Sequence, residues 1–326
     1  MGTSPTSTVE VIVVAYRSAE LVDALLTSWR GRIPVCVADN FDGGDGLPGI
    51  AAKHQNARYL RLRGVGFARA ANTAIASSAA KIVIIVNPDS GASVDDVMSL
   101  AAGLAQEPQS LAHGAIERIP SGRFYCGGWL PTLRRCFVHA FGLHLLFPRS
   151  GLLATIDEGA AAPDVDWLSG TVAAFWRHHL MAAGGFDERF YVYSEDMALG
   201  VVARQLGLRH VARTDVVLYP DESGSGALSL PMAGLQGASL AHYFAAYHRP
   251  SEAWACRLVL AVGFLGRAVL CVLRGNRRGC RRQMVFVGAI LSGRAFVDGK
   301  EVSRTRVEEV RGAAAQRFGS WRRYQL

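Results

Sequence analysis

The chain has 326 residues, half of them hydrophobic and 19% charged, which supports a sizeable buried core and excludes global disorder. The formal charge of +8 is local: eight arginines and no acid lie between Arg257 and Arg294, so the remainder balances to about zero. A nucleic-acid binder would spread its charge over a folded face, whereas charge confined to one apolar-interleaved segment points to an anionic lipid surface. The six cysteines form no CxxC pair and no zinc-site spacing, so they read as reduced residues of a cytoplasmic protein. Met1 to Thr8 lacks an apolar run, and neither a secretory signal nor an ordered element is expected there.

Val9 to Ala15 (VEVIVVA) is a continuous β-branched run of the kind a buried parallel strand needs, and Ser18 to Trp29 follows with helical spacing. Pro34 to Ala38 predicts a second strand ending at Asp39-Asn40, and Ala57 to Leu62 a third. A glycine turn at 64–66 opens an alanine-rich helix from Phe67 to Ala80. Lys81 to Val86 (KIVIIV) is a strand that stops at Asn87-Pro88-Asp89, and Asp95 to Gln106 is a helix. This alternation implies right-handed βαβ units and an α/β fold with a mixed, mostly parallel sheet carrying helices on both faces. From Leu111 to Asp164 the pattern is irregular and predicts no element. It recovers at Trp167, with a helix over Met197 to Leu206, a strand over His210 to Leu218, and helices from Ala238 to the end. The domain expected over 9–230 is therefore α/β, and the region over 238–326 helical.

Polar residues at strand ends are usually turn formers, but the C-terminal edge of an open α/β sheet is also where ligands bind. Asp39, Asp89 and the pair Glu195-Asp196 all fall at such places. A divalent Mg²⁺ or Mn²⁺ held by Asp89 would neutralise a diphosphate leaving group. An acceptor hydroxyl needs a base, and a neighbouring negative charge raises the pKa of paired carboxylates. The plainer reading of Glu195-Asp196 is a helix N-terminus, where the backbone dipole favours acids.

VEVIVVAYRS, ADN at 38–40, GVGFARAAN at 64–72, VNPDS at 86–90, WLSG at 167–170 and GGFDERFYVYSED at 184–196 together resemble the family 2 inverting glycosyltransferases of the rhamnosyltransferase-like group. That resemblance implies a GT-A fold over about 9–229. It also implies a nucleotide-sugar donor, dTDP- or UDP-linked with dTDP-rhamnose favoured, and a glycan or lipid-linked acceptor. Asp39 would contact the donor base, with Ala15, Tyr16, Asn40, Gly66, Phe67, Asn72 and Asn87 around the donor. Asp89 would hold metal and diphosphate. Asp196 would be the general base with Glu195 beside it, and Trp167, Ser169, Gly170, Phe190 and Tyr193 would line the acceptor side. The sequence departs from the family pattern at Arg17 and Gly64, where Asn is common, at Asn87, and at Ala198 and Val202. A metal-completing His is also missing near Tyr219-Pro220. A non-catalytic sugar-nucleotide-binding subunit, or a soluble enzyme acting on a small metabolite, are the alternatives. The glycines at 64 and 66 lack the third glycine of a dinucleotide fingerprint, and His178 and His179 read as helix-surface residues.

Residues 253–273 are strongly apolar, yet Arg257 and Arg267 leave too short an uncharged run to span a bilayer, which needs ~20 residues. A second apolar run, Met284 to Gly293, follows the cluster Arg274, Arg277, Arg278, Arg281 and Arg282. Two such runs flanking a basic hairpin predict helices lying at the inner face of a plasma membrane, with arginines on lipid phosphates. The competing reading packs both runs on the catalytic domain.

Overall fold

The computed structural model describes residues 8–41, 44–119, 121–157, 159–219 and 229–302. In chain order these form β1 (Val9–Ala15), α1 (Ala19–Trp29), β2 (Val35–Asp39), α2 (Leu47–Lys53), β3 (Ala57–Arg61), α3 (Phe67–Ala76), β4 (Ile82–Val86) and α4 (Val94–Gln106). Next come β5 (Ser110–Arg118), β6 (Phe124–Gly128), α5 (Leu133–Ala140), two 3-10 turns (Leu143–Leu145 and Pro148–Ser150), β7 (Leu153–Ile156), β8 (Trp167–Leu168) and β9 (Val172–Trp176). The chain ends with α6 (Arg177–Ala182), α7 (Glu195–Gln205), β10 (Arg209–Leu218), α8 (Leu230–Tyr247), α9 (Pro250–Leu273), α10 (Arg277–Ser292), β11 (Phe296–Val297) and β12 (Lys300–Glu301).

Two compact units emerge. The first comprises Met1–Trp129, Leu153–Phe186 and Leu199–Gly226; the second comprises Leu130–Leu152, Asp187–Ala198 and Ala227–Leu326. The N-terminal segment before Thr8 and the tail beyond Val302, both addressed by the sequence reading, lie outside the described residues.

The first unit is built on one mixed sheet in the order β3-β2-β1-β4-β9-β5-β6-β7, with β10 paired to β5 and β8 to β6. Strands β1 to β4 run parallel, β1 and β4 being the β-branched runs that predict it, and β9 enters antiparallel between β4 and β5. Alternate residues of β1 serve opposite faces. Ile12 and Val14 join the core beneath α3, while Val11 and Val13 join the core beneath α1 and α4. Because β9 and β5 run in opposite senses, the start of β9 and the ends of β1, β2, β4, β5 and β10 all meet one sheet edge. Helix α4 opens on a complete capping box, the Ser93 hydroxyl accepting from Asp96 N–H and the Asp96 carboxylate from Ser93 N–H.

The second unit is mainly helical. Helix α8 starts at Leu230, eight residues earlier than the sequence suggests, because Ser229 caps it by accepting from Met232 N–H. A Cβ at Gly237 would sit 2.7 Å from the Phe286 carbonyl, so the glycine is what lets α8 approach α10 closely. The basic cluster expected in a hairpin is divided: Arg274 to Asn276 turn the chain, while Arg277 to Arg282 form the first turns of α10.

Candidate active site

At the shared edge of the first unit, Asp39 ends β2 buried and oriented. One carboxylate oxygen accepts from Phe41 N–H at 3.0 Å and the other from the Tyr59 hydroxyl at 2.6 Å. Burial and that hydrogen bond push the Tyr59 phenol up to about 12. Beside it, Tyr16 and Phe41 meet edge-on at 5.5 Å, and the Arg17 guanidinium lies 5.4 and 5.0 Å from their ring centres. Two aromatic faces, a guanidinium and a fixed carboxylate form the kind of platform on which a nucleobase stacks and is hydrogen-bonded. The buried Asn40 next to it has a side-chain oxygen with no partner among the described residues. Tyr59 and Phe41 escaped the sequence reading, since aromatic residues in a strand or turn carry no signal of their own.

The metal-side residues gather around the junction of β4, β9 and β5. Asn87 N–H donates to the Thr171 carbonyl at 2.8 Å. The Thr171 hydroxyl in turn donates to Glu117 at the end of β5, at 3.0 Å, and lies 3.0 Å from the Ser169 hydroxyl. Half-buried Asp89 is engaged by no hydrogen bond or ion pair to another described residue, yet its charge acts on Glu117. Burial raises the Glu117 carboxyl pKa above the usual range; the Thr171 hydrogen bond opposes this, and the Asp89 charge adds to it. Glu117 is thus a second acid beside Asp89, unforeseen from the sequence. Its signal, an acid closing a strand, was hidden because His113 and Gly114 break the apolar pattern of SLAHGAIER. Among the described residues no group of three or more metal-ligating side chains converges.

Several expected donor and acceptor residues are also engaged within the protein. Asn72, expected at the donor, spends its amide on the backbone of Phe186, donating to the carbonyl at 2.8 Å and accepting from the N–H at 2.9 Å. It clamps the Gly184–Phe186 turn to α3. Gly185 passes so close that an added Cβ would meet Asn72 Oδ1 at 2.5 Å, and its φ of +75° is left-handed. Trp167, expected to line a cleft, is 2% exposed, with its indole N–H on the Trp129 carbonyl and its ring edge-on to Tyr125. Bulk and a satisfied donor make it a core residue. Gly66, the residue before α3, and Phe67, its first residue, do stand at the sheet edge. Phe67 packs edge-on to Phe186, and a Cβ at Gly170 would lie 3.9 Å from its ring.

In the second unit, Phe190, predicted on the acceptor side, is buried, whereas Tyr193 is half-buried with its hydroxyl on Met232 Sδ. Tyr193 and Ser194 both adopt φ of +69°, a left-handed strain that is rare for residues bearing side chains and clusters at functional sites. Directly after them Glu195 and half-buried Asp196 open α7. Burial raises the Glu195 pKa well above the usual carboxylate range, and the Asp196 charge adds to the effect; its Oε2 has no hydrogen-bond partner among the described residues. Asp196, bonded at 2.8 Å by Met197 N–H, is pushed up to about 6 by burial. A helix cap would leave these groups exposed and at ordinary pKa, so capping alone does not account for them. Nearby, Asp187 is locked by Arg189 and the Tyr247 hydroxyl, a structural ion pair.

Residues 10–133 match the family Glycosyl transferase family 2. An N-acetylglucosaminyl-diphospho-decaprenol L-rhamnosyltransferase of Mycobacterium tuberculosis is 28% identical over 216 residues, which cover 60% of this chain and 70% of that protein. Among solved structures, the mannosyltransferase PcManGT from Pyrobaculum calidifontis, in complex with GDP-Man and Mn2+, aligns with a TM-score of 0.56 at 19% identity, covering 89% of this chain and 88% of its own. GalNAc-T7 with UDP, GalNAc and Mn2+ aligns with a TM-score of 0.51 at 11% identity over 75% of this chain and 51% of its own. Fold, sheet edge and matched segment agree: the chain is a glycosyltransferase with a GT-A fold, its residues 10–133 match family 2, and it is similar to rhamnosyltransferases.

Proposed function

We propose that the protein transfers a sugar, rhamnose from dTDP-rhamnose by preference, to a hydroxyl of a lipid-linked glycan at the inner face of a membrane, with inversion. The observation that carries the chemistry is the pairing of buried Glu195 with half-buried Asp196 behind two strained residues, with Asp196 pushed up to about 6. At neutral pH Asp196 is mostly ionised and accepts the acceptor proton. Burial and the Asp196 charge raise the Glu195 pKa well above the usual range, which disfavours a second charge on the pair. The acceptor oxygen then bonds to the anomeric carbon as the sugar–phosphate bond breaks, and its electron pair leaves with the nucleoside diphosphate. Asp39, Tyr16 and Phe41 hold the base of the donor. The rhamnose and lipid-linked elements of this reading are supported by the name of the mycobacterial relative.

A divalent cation fits the donor set at Asp89 and Glu117. Two hard carboxylates, one of them without a partner among the described residues, suit an ion that completes its shell with phosphate oxygens and water. When bound, such an ion neutralises the charge gathering on the departing diphosphate. This chain's contribution is to fix Glu117 through Thr171 and to keep Asp89 unengaged.

The membrane reading rests on the second unit. Helix α9 is long and apolar enough to cross a bilayer by length and composition, with 28% of its apolar window buried. Arg274, Arg277, Arg278 and Arg281 are exposed at its C-terminal end, and Arg282 is half-buried. Residues of both kinds suit an interfacial anchor.

The test is transfer of labelled sugar from dTDP-rhamnose to a polyprenyl-diphosphate GlcNAc acceptor. The Asp196→Asn variant is expected to bind donor normally and lose turnover by about 10²–10⁴-fold. Full turnover by that variant removes Asp196 as base. Donor binding without turnover by the wild type, across acceptors, favours a non-catalytic subunit.

A further inference from the structure

We propose that the segment Leu133–Phe147, α5 and the 3-10 turn after it, is a second membrane-inserting element that seats the second unit on an anionic bilayer beside α9. The inference rests on the membrane reading above and extends it to a segment in which the sequence pattern predicts no element. Its amphipathicity is inverted. The buried residues of α5 are the small Cys136 and Ala140, while Phe137 (48% exposed), Phe141 (49%), Leu145 (73%), Leu146 (73%) and Phe147 (62%) face outward. A helix docked only for stability buries its large side chains and exposes its small ones. A contiguous run of exposed phenylalanine and leucine marks an interaction surface.

This segment is fastened along α9. The Cys136 and Cys256 thiols are hydrogen-bonded. A Cβ at Gly263 would fall 2.5 Å from Ala140 Cβ and 2.6 Å from its carbonyl oxygen, so only glycine permits the approach. Arg267 donates to the His139 carbonyl. Cys136 meets Cys256 and Ala140 meets Gly263, so the two helices run in the same sense, and the long Arg267 side chain reaches back to His139 from the next turn. The exposed Leu145–Phe147 follow the turn in which His144 stacks on His139 at 5.0 Å, and His139 itself lies beside Phe264 and Arg267 of α9; farther along α9, Val269, Leu270, Val272 and Leu273 are also exposed.

Helix α9 itself presents a single stripe. Trp254, Leu258, Val262, Leu265, Val269 and Val272 are exposed at steps of four, four, three, four and three, a spacing that keeps them on one face over roughly 27 Å. The two charges that interrupt this run in sequence are spent on backbone carbonyls, and Arg257 also stacks on Trp254 at the start of the stripe, 4.1 Å from the ring centre. Arg257 donates to the carbonyls of Ile290 and Leu291 at the end of α10, and Arg267 to His139. Beyond the stripe come the five arginines from Arg274 to Arg282, none paired with a described acid. That charge decides the occupant. A second copy docked through the same face with the helices parallel would bring the two arginine clusters together, and one docked antiparallel would leave each cluster without a matching acidic cluster, whereas anionic headgroups complement them.

The test is hydrogen exchange on the full-length protein, with and without vesicles of phosphatidylcholine containing phosphatidylglycerol. A Phe141→Asp/Leu145→Asp/Leu146→Asp variant, altered only at exposed positions, is followed by vesicle flotation. The expected result is slowed exchange over 137–147 together with 254–273 on anionic vesicles, and at least a tenfold loss of flotation by the variant with an unchanged unfolding midpoint. Protection of 254–273 with 137–147 unchanged overturns the inference and leaves the membrane reading intact. Absence of protection in both segments overturns both. Protection without lipid that grows with protein concentration makes the occupant a second copy and overturns the inference as well.

Discussion

Asp196 does opposite things to activity and to stability, and the sign of each follows from its burial. Burial raises its folded-state pKa to about 6, above the ordinary aspartate value of 3.8. A group shifted upward contributes stability that is fully present below the unfolded pKa and is lost as pH rises through the folded one. Activity requires the ionised form and rises over the same interval. The kcat/KM profile of the wild type is thus expected to climb through about pH 6 while its thermal midpoint declines. Asp196→Asn removes the charge that burial penalises. Its midpoint at pH 7.5 is expected to exceed that of the wild type, by about 2–4 °C for each kcal/mol relieved, with the gap closing near pH 4. Calorimetry of both proteins across pH checks this; a variant less stable at pH 7.5 would show that the carboxylate is structural. Burial and the Asp196 charge raise Glu195 as well, so the titration belongs to the pair.

At the scale of elements, the Asn72 clamp joins α3 to the turn before α7 by two hydrogen bonds to one buried residue. Asn72→Ala leaves the N–H and carbonyl of Phe186 unpaired, at a cost of about 1–3 kcal/mol for each group. Urea unfolding should register the loss, and exchange at 184–187 should accelerate. Asn72→Asp keeps the acceptor for Phe186 N–H and loses only the donor, so its penalty is expected to be the smaller. An unchanged midpoint for the alanine variant would mean water replaces the amide. The clamp also shows why parts of the site were legible and others not. Strands β1, β2 and β4 announce themselves because buried parallel strands are continuous β-branched runs, and Asp39 and Asp89 stand at their ends. The contact of Asn72 with the Phe186 backbone was not legible, since an amide that binds ligand and one that binds backbone look alike in sequence. Residues 110–156 were opaque for two reasons. The last strands are short and interrupted by glycine, and α5 turns its large apolar side chains outward, so the usual link between apolar period and core fails there. Glu117 was lost with that stretch.

For the whole molecule, the +8 charge is a property of one segment, and the structure divides its eight arginines by function. Arg257 and Arg267 cap carbonyls and Arg294 pairs with Glu301, which leaves the five from Arg274 to Arg282 to face an external anion. Replacing those five by glutamine should weaken partitioning to anionic vesicles by on the order of 10³-fold, at about 1 kcal/mol per arginine, without changing the unfolding midpoint. Arg257→Gln should do the reverse. It strips the Ile290 and Leu291 carbonyls of their donor, lowers the midpoint, and leaves the charge-dependent part of binding in place. Salt separates the contributions further. Raising ionic strength from about 0.1 to 1 M shortens the Debye length from roughly 10 to 3 Å, which screens the exposed arginines but does not weaken apolar insertion. Wild-type binding is therefore expected to fall with salt to a plateau set by the apolar surface. The five-glutamine variant should begin at that plateau and stay there. If binding by that variant still falls with salt as steeply as in the wild type, the attraction lies elsewhere on the chain and these arginines are only solvated.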